Sequence, residues 1–87
     1  MSGTFSYAPR GVCSRLITVT VENDIIQNVT YTGGCSGNTQ GVAALVKGMT
    51  VDETVSRLRG IRCGFKQTSC PDQLALALIK FKEENER

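Results

Sequence analysis

Four cysteines are the residues of this sequence best suited to chemistry: Cys13, Cys35, Cys63 and Cys70. The chain contains no histidine, which excludes Ser/His/Asp and Cys/His nucleophilic arrangements. Cysteine thiolates can bind zinc or an iron–sulfur cluster, form disulfides, or act as redox thiols. The spacing C-x21-C-x27-C-x6-C is not that of a paired zinc ribbon, so the choice depends on local context.

The contexts favour a shared metal site. Cys35 lies in a glycine-rich turn, Cys63 lies between two predicted helices, and Cys70 lies at the start of the last helix. Cys13 opens a predicted strand and is interpreted equally well as a core residue or a ligand. Without histidine a closed site must be all-sulfur or include Asp72, for which we favour helix capping. We predict that the four cysteines bind zinc by default, or otherwise an iron–sulfur cluster.

The glycine-rich turn suggests a second interpretation. Its backbone N–H groups could bind an anion at the start of the following helix. The candidate cofactor-binding residues of this turn are Gly34, Ser36, Gly37 and Asn38. Together with Arg57, Arg59 and Arg62 they would suit a nucleotide-binding or protein-binding regulatory module without metal. A third alternative is a redox thiol protein that uses Cys63 and Cys70.

Length and composition limit the class of protein. With 87 residues we expect a single domain over residues 1–87. The net charge of +2 gives no reason to expect a nucleic-acid partner. No segment resembles a signal peptide or a membrane span, so we expect a cytoplasmic location and no membrane partner. Reducing conditions there disfavour structural disulfides.

The remaining sequence predicts an α+β fold, with an N-terminal antiparallel β-hairpin or three-stranded sheet packed against two to three C-terminal helices. Residues 4–7 suggest an edge strand, whose exposed edge makes a homodimer possible. A hairpin follows over residues 13–32, turning at Asn23-Asp24. The next segments are a loop over residues 33–38 and a helix over residues 38–47.

The C-terminal half is predicted to continue as helices. In the first helix Val42, Leu45 and Val46 follow helical spacing. Thr50 and Glu53 form the pattern of a capping box, in which Glu53 reaches back to the start of the second helix. The last helix begins near Pro71, and residues 82–87 are expected to be a solvated tail.

The residues Thr68-Ser69-Cys70-Pro71-Asp72 spell the motif of the TSCPD family, and the chain resembles a stand-alone, four-cysteine member of it from Tyr7 to Phe81. The family also occurs at the C-terminus of cobalamin-dependent ribonucleotide reductases, and small members carry a ribonucleoside-diphosphate reductase label. The resemblance implies an accessory or metal-binding module, not an enzyme on its own. It implies an association with deoxyribonucleotide synthesis and with a reductase, or another protein, as partner.

A weaker resemblance covers Gly33 to Phe81. A Gly-Gly-Cys-x-Gly turn and a cysteine directly before an Ala/Leu-rich final helix are similar to NifU-like iron–sulfur scaffold proteins. By position, Cys35 would match the first scaffold ligand, Cys63 the middle one loosely, and Cys70 the last. The scaffold histidine has no counterpart in this sequence.

Overall fold

The computed structural model describes residues 2–9, 11, 14–33, 36–62 and 67–85 of the chain. Within these ranges an N-terminal sheet of three strands is followed by three helices. The elements are β1 (Gly3–Tyr7), β2 (Ser14–Glu22), β3 (Ile25–Gly33), α1 (Ser36–Val46), α2 (Val51–Leu58) and α3 (Cys70–Asn85). The predicted α+β fold class is confirmed.

The sheet is antiparallel throughout, with β2 between β1 and β3. The hairpin of β2 and β3 turns at Asn23 and Asp24, whose φ angles are +52° and +64°. Short two-residue hairpin turns require positive φ, which Asn and Asp tolerate better than most residues because their side chains bond locally. The turn predicted at this dipeptide is therefore present.

One face of the sheet forms the core with α3. Ile17 and Val19 of β2 are fully buried, as expected from their alternation along the strand. Leu74 and Leu78, one helical turn apart on α3, are also fully buried in the same cluster. On β1, the ring of Phe5 stacks on that of Phe81 of α3, with centroids 4.4 Å apart.

The connection between α1 and α2 is held against the beginning of β3. The N–H of Gly48 donates to the carbonyl of Ile26 at 2.8 Å, and the N–H of Ile26 donates to the carbonyl of Met49 at 2.9 Å. The N–H of Val51 donates to the carbonyl of Asp24 at 2.9 Å. These bonds fix where α2 begins relative to the hairpin.

Two helix boundaries differ from the prediction. Helix α1 begins at Ser36, so the backbone of residues 36–38, predicted as loop, is its first turn. Local propensity is a weak signal, and packing that buries Thr39 favours the earlier start. Helix α3 continues to Asn85, where a solvated tail was predicted. Residues 83–85 are exposed, as predicted, but helical, because Lys and Glu are good helix formers and Asn85 Nδ2 donates to the Phe81 carbonyl at 2.8 Å.

Two side chains also differ from the prediction. Leu45 is 77% exposed, although the spacing placed it on the inner face of α1; Val46 beside it is buried. Glu53 donates its N–H to Thr50 Oγ1 at 3.1 Å, so Thr50 caps α2 as predicted. The Glu53 carboxylate does not complete a capping box, since its Oε1 accepts from Arg57 at 2.6 Å. None of the described helices has the length and apolar character needed to cross a bilayer.

Candidate functional site

Ser69 caps the helix that begins at Cys70. Its Oγ accepts from the N–H of Asp72 at 3.1 Å, and its carbonyl accepts from the N–H of Gln73 at 2.8 Å. A helix start leaves the N–H groups of its first four positions without a partner in the helix, and the bond to the Ser69 hydroxyl satisfies that of Asp72. The bond from Gln73 to the Ser69 carbonyl is the first i→i−4 bond of the helix. Pro71 follows in the first turn, where its missing N–H costs no helical bond.

The same motif holds the end of α2. The Ser69 hydroxyl donates to the carbonyl of Ile61 at 2.7 Å. The Asp72 carboxylate accepts from the N–H of Gly60 at 2.7 Å through one oxygen and from the Thr68 hydroxyl through the other. We call these three hydrogen bonds the Ser69–Asp72 clamp. Both carboxylate oxygens of Asp72 are engaged in it, which supports a structural role over that of a metal ligand.

Cys70 is buried at the first position of α3, with 9% of its surface exposed. The Tyr31 hydroxyl of β3 donates to the Cys70 carbonyl at 3.2 Å. Burial, and second the negative charge of an ionised Cys70 thiol, raise the pKa of the Tyr31 phenol. The phenol therefore stays protonated and able to donate, and the bond ties the last part of β3 to the start of α3.

The described neighbours of Cys13 and Cys35 lie at the same end of the sheet. Ser14, directly after Cys13 in the sequence, is paired with Gly33 across β2 and β3. Gly33 precedes Cys35 by two residues. Ser14 and Gly33 thus lie side by side at one end of the β2–β3 pair.

The neighbours of Cys70 reach this end as well. A Cβ placed on Gly11 would lie 3.1 Å from Cγ2 of Thr68, so the segment before Cys13 contacts the segment before Cys70. Ile61, two residues before Cys63, is bound to Ser69, the residue before Cys70. A described residue within four positions of each of Cys13, Cys35 and Cys63, namely Gly11, Tyr31 and Ile61, therefore contacts the N-terminal end of α3 or the two residues before it.

Of the predicted metal ligands the structure describes Cys70. Cys13, Cys35 and Cys63 lie outside the described residues, as does Gly34 of the predicted anion-binding turn. Among the residues that are described, no group of three or more His, Cys, Asp or Glu side chains could hold a metal ion.

The basic and glycine-rich residues of the alternative site are described in part. Backbone positions 36–38, which hold Ser36, Gly37 and Asn38, form the first turn of α1. Arg57 pairs with Glu53 on the surface of α2. The groove between β3 and α1, lined in part by Thr30, Thr39 and Gln40, has no charged residue among its described lining.

Three residues of this region were given no role from the sequence: Tyr31, and Thr68 and Ser69 of the motif. Ser69 and Asp72 have the S-x-x-D spacing typical of a helix start, which could have identified Ser69 as the cap. The bonds from Tyr31 to Cys70 and from Asp72 to Gly60 join residues 39 and 12 positions apart, and no local pattern indicates them.

Comparison with known proteins gives one match. The family model of the TSCPD domain matches residues 1–82 of the chain. Searches of curated proteins and of solved structures each found no match. The TSCPD family is associated with ribonucleotide reductases. The match covers nearly the whole chain: all the described strands, α1, α2, and α3 except its last residues. The chain therefore belongs to the TSCPD-domain family.

Proposed function

We propose that the protein is a small metal-binding module in which Cys13, Cys35, Cys63 and Cys70 bind a single ion. The convergence of the described segments next to these four cysteines supports the proposal. Segments that approach one helix end from two strands and from the α2–α3 connection are suited to deliver ligands to a common point.

The donor set fits zinc best. Four thiolates are the ligands of a closed, tetrahedral zinc site, which is structural and leaves no position for a substrate. The N-terminal end of α3 carries partial positive charge, which favours thiolates nearby. An ion bound there would supply folding free energy to a small core. An iron–sulfur cluster is the second candidate for the same four ligands.

The experiment is metal analysis of protein purified without oxygen, with the visible spectrum recorded. The proposal predicts one zinc per chain in the native protein and none in a variant with all four cysteines changed to serine. Iron with sulfide and a coloured spectrum would select the cluster. A colourless protein without metal would contradict the proposal and favour a redox role, which thiol titration before and after mild oxidation would test.

We further propose that the module is a cytoplasmic accessory of a ribonucleotide reductase, not an enzyme on its own; the family membership supports the link. Co-purification with a reductase, lost in the four-serine variant, is the expected result. The alternative function is nucleotide binding at Gly34, Ser36, Gly37 and Asn38. Nucleotide affinity that survives removal of all four cysteines would favour that alternative.

We also propose that two copies pair through β1. Among the described strands β1 contacts β2 alone, and its five residues include neither a charge nor a proline to block its outer edge. The groove beside it is lined by Lys80 and Glu84 of α3. We propose that the β1 edges pair antiparallel about a two-fold axis and that Lys80 of one copy then faces Glu84 of the other.

Light scattering after size exclusion tests this dimer. We expect a dimer for the native chain and a weaker dimer for Lys80→Glu, which places like charges across the axis. The double variant Lys80→Glu/Glu84→Lys should restore it. A native chain that is monomeric at micromolar concentration contradicts the proposal.

A further inference from the structure

We propose that Ser69 and Asp72 are positioning residues for the metal site. Through the Ser69–Asp72 clamp they would hold the segment that carries Cys63 beside Cys70 and so set the affinity for the ion. This inference rests on the proposed metal-binding function. The TSCPD motif would then have two roles: Cys70 binds the ion, and Ser69 and Asp72 position a second ligand, Cys63.

The clamp joins the described residues that flank the segment containing Cys63. Gly60 and Ile61 lie at one end, and Thr68 and Ser69 at the other. These described ends meet at the first turn of α3, and Cys63 follows Ile61 by two residues in the sequence. Bringing two ligands together in advance removes entropy that the ion would otherwise have to overcome on binding.

Burial makes the clamp specific. Ser69 and Asp72 are 3% and 7% exposed, so their side chains are largely removed from water, whereas the partners Gly60 and Ile61 are exposed. A carboxylate that accepts from N–H and O–H donors in such surroundings forms strong, directional bonds. Gln73 supports the arrangement, since its Nε2 donates to Thr68 Oγ1 at 2.9 Å. Loss of the Asp72 carboxylate would leave the Gly60 N–H without this acceptor.

Affinity and clamp formation are linked in both directions. If the clamp raises the affinity for the ion by some factor, the bound ion must stabilise the clamp by the same factor. The metal-free protein is therefore expected to exchange the Gly60 amide hydrogen faster than the metal-bound protein. The amide of Val51, bound to Asp24 at the other end of α2, serves as the internal reference.

The test compares zinc affinities in competition with a chromophoric chelator. Asp72→Ala should weaken zinc binding by about ten- to a hundred-fold, the range for groups that orient metal ligands. Asp72→Asn keeps one oxygen acceptor and should recover part of that loss. Ser69→Ala removes the bond to Ile61 and should weaken binding as well. Asp72→Asn and Ser69→Ala carry the test if Asp72→Ala does not fold.

Thr54→Val is the matched control. Thr54 is fully buried on α2 and its Oγ1 donates to the Thr50 carbonyl at 2.9 Å, so the change removes a buried hydrogen bond outside the clamp. It should lower stability without changing zinc affinity. Two results would overturn this inference but leave the proposed function intact. In the first, the clamp variants bind zinc as tightly as the native chain. In the second, they lose no more zinc affinity than Thr54→Val at equal stability. A native chain that binds no zinc would overturn the proposed function itself.

Discussion

Changing glycine to alanine should stabilise the protein at Gly41 and destabilise it at Gly48 and Gly60, because the backbone conformation differs between these positions. Gly48 and Gly60 follow α1 and α2 and have φ angles of +90° and +88°. Gly41 lies inside α1. At all three positions a Cβ would meet no described atom within 4 Å. Steric contact is therefore removed from the comparison, and backbone conformation decides the outcome.

The magnitudes follow from that conformation. In the left-handed region a residue with a Cβ is less stable than glycine by roughly 1–2 kcal/mol, which is the expected loss for Gly48→Ala and Gly60→Ala. In an exposed helix interior alanine is more stable than glycine by about 0.8–1.0 kcal/mol, the expected gain for Gly41→Ala. The free energy of unfolding of Gly41→Ala should thus be about 2–3 kcal/mol higher than that of either other variant.

The assay is urea unfolding followed by circular dichroism, in reductant and excess chelator so that metal does not contribute. Equal slopes with urea would show that the midpoints report stability alone. Gly48→Ala and Gly60→Ala should agree closely in stability. Only Gly60→Ala should also weaken zinc binding, because strain in its left-handed backbone would displace the N–H that donates to Asp72. A neutral Gly60→Ala, or a destabilising Gly41→Ala, would refute the reasoning.

Three further substitutions test the packing and polar contacts. Leu78→Ala should lower the free energy of unfolding by about 2–5 kcal/mol in urea titrations, because the side chain is fully buried; a smaller loss would place it outside the core. Tyr31→Phe should lower it by about 0.5–1.5 kcal/mol through loss of the bond to the Cys70 carbonyl, and an unchanged midpoint would argue against that bond. Lys82→Ala should lower it by less than about 1 kcal/mol at low salt and by less at high salt, because the partner Asp52 is 76% exposed; a salt-independent loss would contradict an ionic origin.

Much of the fold could be predicted from the sequence, because its signals are local. Alternation from Ile17 to Val21 identifies a strand with one buried face, and Asn23-Asp24 identifies the hairpin turn. Thr50, three residues before Glu53, marks the start of α2. Each of these patterns depends on residues that are close in the sequence, and tertiary contacts do not change its outcome in this structure.

The errors arose where neighbours compete or where the partner is distant. Glu53 had two available partners, and Arg57, one turn later on the same helix, binds its side chain. Leu45 and Val46 both fit a helical face, and the contact of α1 with the sheet buries Val46 alone of the two. Asp72 was expected to cap its own helix, yet its side chain accepts from the N–H of Gly60, which follows the end of α2.

The candidate site was only partly predictable for the same reason. Helical spacing and the motif predicted that Cys70 begins a helix, and the structure confirms it. The contact of Gly11 with Thr68 and the bond from Tyr31 to Cys70 depend on how the sheet packs on α3. The shared ligation of Cys13, Cys35, Cys63 and Cys70 stays a prediction, now supported by the positions of their described neighbours.

X-ray absorption at the zinc edge of the anaerobically purified protein tests the central claim most directly. A site made of the four cysteines predicts four sulfur neighbours at about 2.3 Å and no nitrogen or oxygen in the first shell. Single Cys→Ser variants should each reduce the sulfur count by one or lose the ion. A first shell with two or fewer sulfurs, or a chain that holds no metal, would contradict the account.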